Sequence, residues 1–173
     1  MQIIIRPETA GDYPKIAKVN ELAFGQGNES LLIEKLRNTS DFILDLSLVA
    51  EYKNDVVGHI LFYPVKINDG SVRHTSLALA PMCVHPSHQR KGIGSELIRE
   101  GLKRAKDMGY GSVIIVGHPE YYPKFGFKKA SKYGIKAPFD APDNAFLALE
   151  LVEGTLRKIK GIVEYPKPFY DTL

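Results

Sequence analysis

The stretch His85–Ala105, HPSHQRKGIGSELIREGLKRA, constrains this chain more than any other. It demands a strand, a tight basic turn and a helix in immediate succession. The apolar run ahead of it ends at Val84, and Ile98, Leu102 and Ala105 then recur at helical spacing. Between the two stand Gly92 and Gly94, with Arg90 and Lys91 alongside. A helix N-terminus leaves backbone N–H groups unpaired and carries partial positive charge, so it is suited to an anion. Glycines remove the side chains that would block close approach, and the two cations add to the same field. On physical grounds this is a pyrophosphate cradle. A G-x-G also serves an ordinary solvated turn, and by itself does not separate the two readings. The spacing departs from the P-loop pattern and lacks the third glycine of a dinucleotide fingerprint.

The rest of the chain sets this turn in an α+β frame. QIIIR is dense in β-branched residues and predicts a first strand; Thr9 follows as a helix cap with Asp12 three residues on. Ile16, Val19 and Ala23 mark one helix, with Pro14 tolerated in its first turn, and Leu32, Ile33 and Leu36 mark a second. The period then changes. Three antiparallel strands are predicted over Leu46–Tyr52, Val56–Ile67 and His74–Val84, separated by KND and NDG turns. SVIIVGHP reads as a short strand buried on both faces and parallel to the one ending at Val84. EYYPKFGF predicts a short helix and turn, and AFLALELV and GIVEYP two further strands. No repeat or linker divides the sequence, so residues 1–173 are expected to form a single domain.

Composition narrows the function. With 23 basic against 20 acidic residues the net charge is only +3, too little for a general attraction to polyanions, and no nucleic-acid partner is expected. Cys83 is the one cysteine, so no intrachain disulfide forms, and a reducing, cytoplasmic setting is expected. No segment predicts a membrane span or a signal peptide. His85 and His88 stand three apart, but a pair is too few for a metal site, and no metal is expected.

VHPSHQRKGIGSELI resembles the acetyl-CoA-binding motif of the GCN5-related N-acetyltransferases (GNAT), Q/R-x-x-G-x-G/A after a strand ending in Val; Gln89, Gly92 and Gly94 match it. The opening IIIRPETAGDYPKIAKVNELAF and the later GHPEYYPKFGF extend the likeness over nearly the whole chain. Within the superfamily the late segments look most like the predicted acetyltransferases of the YhbS type, except that His118 stands where many of those carry Asp. The resemblance implies a mixed, mostly antiparallel sheet, splayed at a central parallel pair and flanked by helices. It implies acetyl-CoA as cosubstrate, its pantetheine lying along the backbone of Met82, Cys83 and Val84 and its pyrophosphate on the N–H groups of Gln89, Arg90, Lys91, Gly92, Ile93, Gly94 and Ser95. The acceptor is then an amine of a small molecule or peptide, and the state of assembly is open, with a homodimer as one option.

The implied reaction is direct attack of the amine on the thioester through a tetrahedral intermediate. Tyr122 matches the tyrosine that in many members protonates the departing thiolate; its phenol has a pKa above that of the thiol, so it stays protonated as a donor poised toward the departing sulfur. The bland reading of Tyr122 is aromatic packing. For the general base His118, Glu29 and Glu51 all stand as options, directly or through water, and none is singled out. Cys83 has no His or Asp at a local spacing that would make it a nucleophile, and reads as a small buried apolar residue. The competing function is a non-catalytic acyl-CoA-binding module, which would keep the cradle and lack turnover.

Overall fold

The computed structural model describes residues 1–172. Its strands are β1 (Ile4–Pro7), β2 (Ser47–Tyr52), β3 (Asp55–Asn68), β4 (Arg73–Val84), β5 (Ser112–Val116), β6 (Lys128–Lys129), β7 (Ile135–Lys136), β8 (Phe146–Glu150) and β9 (Gly161–Glu164). Its α-helices are α1 (Tyr13–Phe24), α2 (Asn28–Arg37), α3 (Ile93–Asp107) and α4 (Lys167–Asp171). Two compact units are distinguished among the described residues, one of 1–63, 80–104 and 167–172, the other of 64–79 and 105–166; β3 and β4 contribute to both.

In the first unit β1, β2 and β3 form an antiparallel ladder, with Ile5 opposite Ala50 and Val49 opposite His59. The β2–β3 turn places Lys53 at φ 49° and Asn54 at φ 64°, the left-handed pair that a tight hairpin needs. Odd-numbered β3 residues Leu61 and Tyr63 join Val49, Cys83 and the apolar sides of α1 and α2 in one cluster containing Ile16, Val19, Leu32, Ile33 and Leu36. Even-numbered residues meet α3. A Cβ on Gly58 would lie 3.0 Å from Leu97 Cδ1, and one on Gly101 would lie 2.2 Å from Phe62 Cε2. Because both faces are covered, β3 is buried from Val56 to Tyr63 without the alternation of a half-exposed strand.

Entry into α1 is fixed by charge. The Asp12 carboxylate accepts from Thr9 N at 2.8 Å and from both terminal nitrogens of Arg6 at 2.7 and 3.0 Å. The helix ends at Gly25, at φ 71°. The last helix, α4, lies outside the sequence-based reading. Phe169 packs against the apolar cluster, its ring centroid 6.1 Å from that of Tyr63, and Asn28 Nδ2 donates to Thr172 O at 3.0 Å. Five residues with a Pro and no periodic stripe give no helical signal; the anchoring is tertiary.

In the second unit β4 runs parallel to β5, with Leu77 opposite Val113 and Ala78 opposite Ile114, and β5 is antiparallel to β8 over its whole length. β6 joins β8, β9 joins the end of β3, and β7 joins β9 in parallel. Beneath the β4–β5 pairing the buried hydroxyls of Ser76 and Ser112 bond to each other at 2.7 Å. The NDG turn closes with Asp69 Oδ1 accepting from Ser71 N and Val72 N. The strands agree with expectation to within a residue at most ends; the two-residue strands β6 and β7 carry no pattern long enough to read. The fold is α+β: a mixed, mostly antiparallel arrangement with a parallel β4–β5 pair and flanking helices.

Candidate active site

The basic, glycine-containing turn after β4 lies in the first unit. β4 ends at Val84, and His85 N donates to Val57 O at 2.7 Å, holding the strand's end on β3. Pro86–His88 form one 3-10 turn, capped where the His85 Nδ1 accepts from Ser87 N at 3.1 Å. Gln89, Arg90, Lys91 and Gly92 are exposed. Gln89 folds back, its Nε2 donating to Val84 O at 3.1 Å. Arg90 at φ 63° and Gly92 at φ 86° bend the loop through left-handed backbone into α3. Nothing lies within 4 Å of a Cβ built on Gly92, so the glycine answers to backbone angle and open approach, not to packing.

Glu96 N donates to Gly92 O at 3.1 Å as α3 begins, and the N–H groups of Ile93 and Gly94 stand ahead of that bond in the helix's first turn. Ile93 is 2% exposed and anchors the helix start in the core, which leaves only its backbone to offer. Gly94 and Ser95 are half-buried in the same turn. On β4, Met82 and Val84 are half-buried and Cys83 is buried. Burial pushes the Cys83 thiol up to about 12, so it is a neutral apolar filler at physiological pH.

Tyr122 belongs to the second unit. It begins the 3-10 turn Tyr122–Phe125, which Gly126 ends at φ 100°. Its amide and that of Tyr121 donate to His118 O at 3.3 and 3.2 Å. The ring is 7% exposed and meets those of Tyr121 and Phe127 edge-on at 5.2 and 5.8 Å. Its face covers Gly117, where a Cβ would come within 2.4 Å of Cε2. Burial raises the phenol well above its ordinary range, with Tyr121 adding to the shift, so Tyr122 holds its proton.

The three general-base options have different local settings. Glu29 accepts from Gln26 Nε2 at 3.1 Å, Glu51 pairs with Arg6 at 3.4 Å, and His118 is exposed on the loop before Tyr122. A different cluster, not singled out from sequence, occupies the first unit. Glu8, Ser47 and His59 are buried, and Arg37 Nε donates to Glu8 Oε2 at 2.7 Å. Ser47 Oγ donates to Glu8 Oε1 and lies 3.0 Å from His59 Nε2. Its one sequence signal is a histidine in the otherwise apolar strand VVGHILFY. Among the described residues no group of three His, Cys, Asp or Glu is placed to hold a metal ion. No helix of the described residues is long and apolar enough to cross a membrane.

The chain is similar to several known proteins. It is 29% identical over 168 residues to the Escherichia coli K12 protein named uncharacterized N-acetyltransferase YhbS, covering 96% of this chain and 98% of that one. The solved E. coli YhbS structure in complex with CoA superposes with a TM-score of 0.91 at 27% identity, over 98% of this chain and 93% of that one. A GNAT family acetyltransferase from Brucella melitensis, solved with acetyl-CoA, gives a TM-score of 0.79 at 32% identity, over 97% and 98% of the two chains. Residues 4–130 match the family described as acetyltransferase (GNAT) domain. The strand, basic turn and helix at Val84–Asp107 therefore sit in a chain that belongs to the GNAT acetyltransferase family.

Proposed function

We propose that this protein, acting as one domain over residues 1–173, transfers the acetyl group of acetyl-CoA to an amine of a small molecule or peptide. The observation that carries the reading is the loop Gln89–Gly92, exposed and bent through positive φ at Arg90 and Gly92 into the start of α3. Its amides, with those of Ile93, Gly94 and Ser95, receive the pyrophosphate, and the Arg90 and Lys91 side chains add cationic charge. The backbone of Met82, Cys83 and Val84 pairs with pantetheine amides. That two relatives were solved with CoA and acetyl-CoA supports this assignment. The amine attacks the thioester carbonyl, the tetrahedral intermediate collapses with cleavage of the C–S bond, and Tyr122 donates the proton that the thiolate takes. Burial keeps the phenol protonated, so its hydroxyl is present to hydrogen-bond the departing sulfur at every physiological pH.

Two measurements test the reading. Calorimetry should show CoA and acetyl-CoA binding with similar affinity, since the contacts go to pyrophosphate and pantetheine. CoA release from acetyl-CoA should then be screened with primary amines, aminoglycosides and peptide N-termini. Absence of binding at millimolar cosubstrate would overturn the cradle. Binding without release in the presence of any amine would instead make the protein an acyl-CoA-binding module.

A further inference from the structure

The Glu8–Ser47–His59 cluster determines which nitrogen of a buried imidazole carries its proton. Glu8 follows β1, Ser47 begins β2, and His59 lies in the middle of β3; the Glu8 and His59 side chains have no exposed surface. Arg37 of α2 holds the Glu8 carboxylate with Nε at 2.7 Å and a second nitrogen at 3.3 Å, so the carboxylate is ionised and only accepts. Ser47 gives its single hydroxyl proton to Glu8. The contact of 3.0 Å between Ser47 Oγ and His59 Nε2 must therefore be donated by the imidazole, whose Nε2 also lies 3.5 Å from Glu8 Oε1. Nδ1 is then a bare lone pair, and it meets no hydrogen-bond partner among the described residues.

A carboxylate that fixes one imidazole nitrogen as N–H and leaves the other as a lone pair is an arrangement for accepting a proton. A purely structural histidine tying β1, β2 and β3 together would gain from satisfying both nitrogens. His59 also lies next to the strand assigned to the cosubstrate: its neighbour Gly58 sits against β4, where a Cβ would come 3.2 Å from Cys83 O, and His85 N donates to Val57 O at 2.7 Å. Resting on the transferase reading above, we propose that His59 accepts the proton of the acceptor amine at Nδ1, by way of water, and that Glu8, Ser47 and Arg37 position it.

The proton count closes. An alkylammonium sheds two protons in becoming an amide N–H. His59 takes the first, which frees the lone pair that forms the C–N bond, and then returns it to solvent. The second leaves the nitrogen as the intermediate collapses, and its equivalent is bound by the CoA sulfur when the C–S bond breaks. Glu8 stabilises the transient imidazolium. Arg37 opposes it, and Cys83, on which Glu29 of α2 also acts, is a further titratable neighbour.

The test uses the full chain and the amine from the screen that releases most CoA. His59→Gln keeps a donor where Nε2 stands and removes the titratable lone pair. The expected result is a fall of about 10²–10⁴-fold in the chemical rate. The acid limb belonging to the imidazole should vanish from the pH profile, with acetyl-CoA affinity unchanged. Glu8→Gln, which withdraws the charge that favours imidazolium, should move that limb to lower pH and lower the plateau. An unaltered rate and limb in His59→Gln would overturn the assignment while leaving the transferase reading intact. No amine-dependent release from the wild-type protein would remove both. Independently of turnover, the long-range proton–nitrogen NMR spectrum of the wild-type imidazoles should show His59 neutral with its proton on Nε2. A proton on Nδ1 would overturn the proposal even if neither variant folds.

Discussion

The ring of Tyr122 lies on the bare backbone of Gly117, with Cε2 2.4 Å and Cδ2 2.6 Å from where a Cβ at Gly117 would stand. No side chain fits between them, so the glycine after β5 sets the position of the phenol. Gly117→Ala should displace the ring by the order of an ångström and lower the rate of acetyl transfer by about 10²-fold. Acetyl-CoA affinity should stay near wild type, which calorimetry beside single-turnover CoA release will show.

Tyr122→Phe separates the hydroxyl from the packing. The edge-on contacts with Tyr121 and Phe127 survive the change, so the melting temperature should move little. Loss of the acid should lower the chemical step by roughly 10²–10⁴. A variant with reduced stability and an unaltered chemical rate would assign Tyr122 to the core alone.

Gly92→Val addresses the cradle. At φ 86° a β-branched residue is strained, by about 1–3 kcal/mol, and its side chain would project into the open space the loop presents. CoA binding should weaken by more than that strain accounts for. Calorimetric affinities measured beside denaturant melts of the same variant give the comparison.

Gly101→Ala should destabilise, although alanine in a helix interior ordinarily stabilises by about 1 kcal/mol relative to glycine. The added Cβ would fall 2.2 Å from Cε2 and 2.7 Å from Cζ of Phe62. Overpacking of this kind costs about 1–3 kcal/mol. A higher melting temperature than wild type would show that α3 can lift from β3 at no cost.

Acid should unfold the first unit through Glu8 and Asp12. Burial alone would raise Glu8, yet hydrogen bonds from His59, Arg37 and Ser47 outweigh it and hold the carboxyl at about 2; Arg6 and Thr9 hold Asp12 at about 2. Both groups are depressed on folding, so their contribution is complete above the unfolded carboxylate range near pH 5 and is lost as pH falls toward 2. Melting temperature against pH should fall through that window. Glu8→Gln should be less stable at neutral pH and show a shallower fall.

Much of the fold was legible because local chemistry and tertiary environment agree. The KND turn predicts a hairpin, and Lys53 and Asn54 take the left-handed pair it requires. Thr9 and Asp12 are read as a helix entry from spacing alone, and the Asp12 carboxylate does accept from Thr9 N. The left-handed turn at Gly92 and the helix after it were legible for the same reason, the glycines and the apolar stripe being contiguous. By contrast, α4 has no stripe of its own and is held by Phe169 on a cluster drawn from α1, α2 and three strands.

What the residues determine by themselves is whatever a dozen neighbours can enforce: the strand that ends at Val84, the left-handed turn at Gly92, the helix that follows, and through their spacing the family. Tertiary structure alone decided the rest. It brought Glu8, Arg37, Ser47 and His59, up to 51 positions apart, into one buried network, and it laid Tyr122 over Gly117. The physical reason is reach. Backbone preference acts over a few bonds and leaves a mark in the sequence, whereas the protonation of a buried imidazole depends on which carboxylate the folded strands bring beside it.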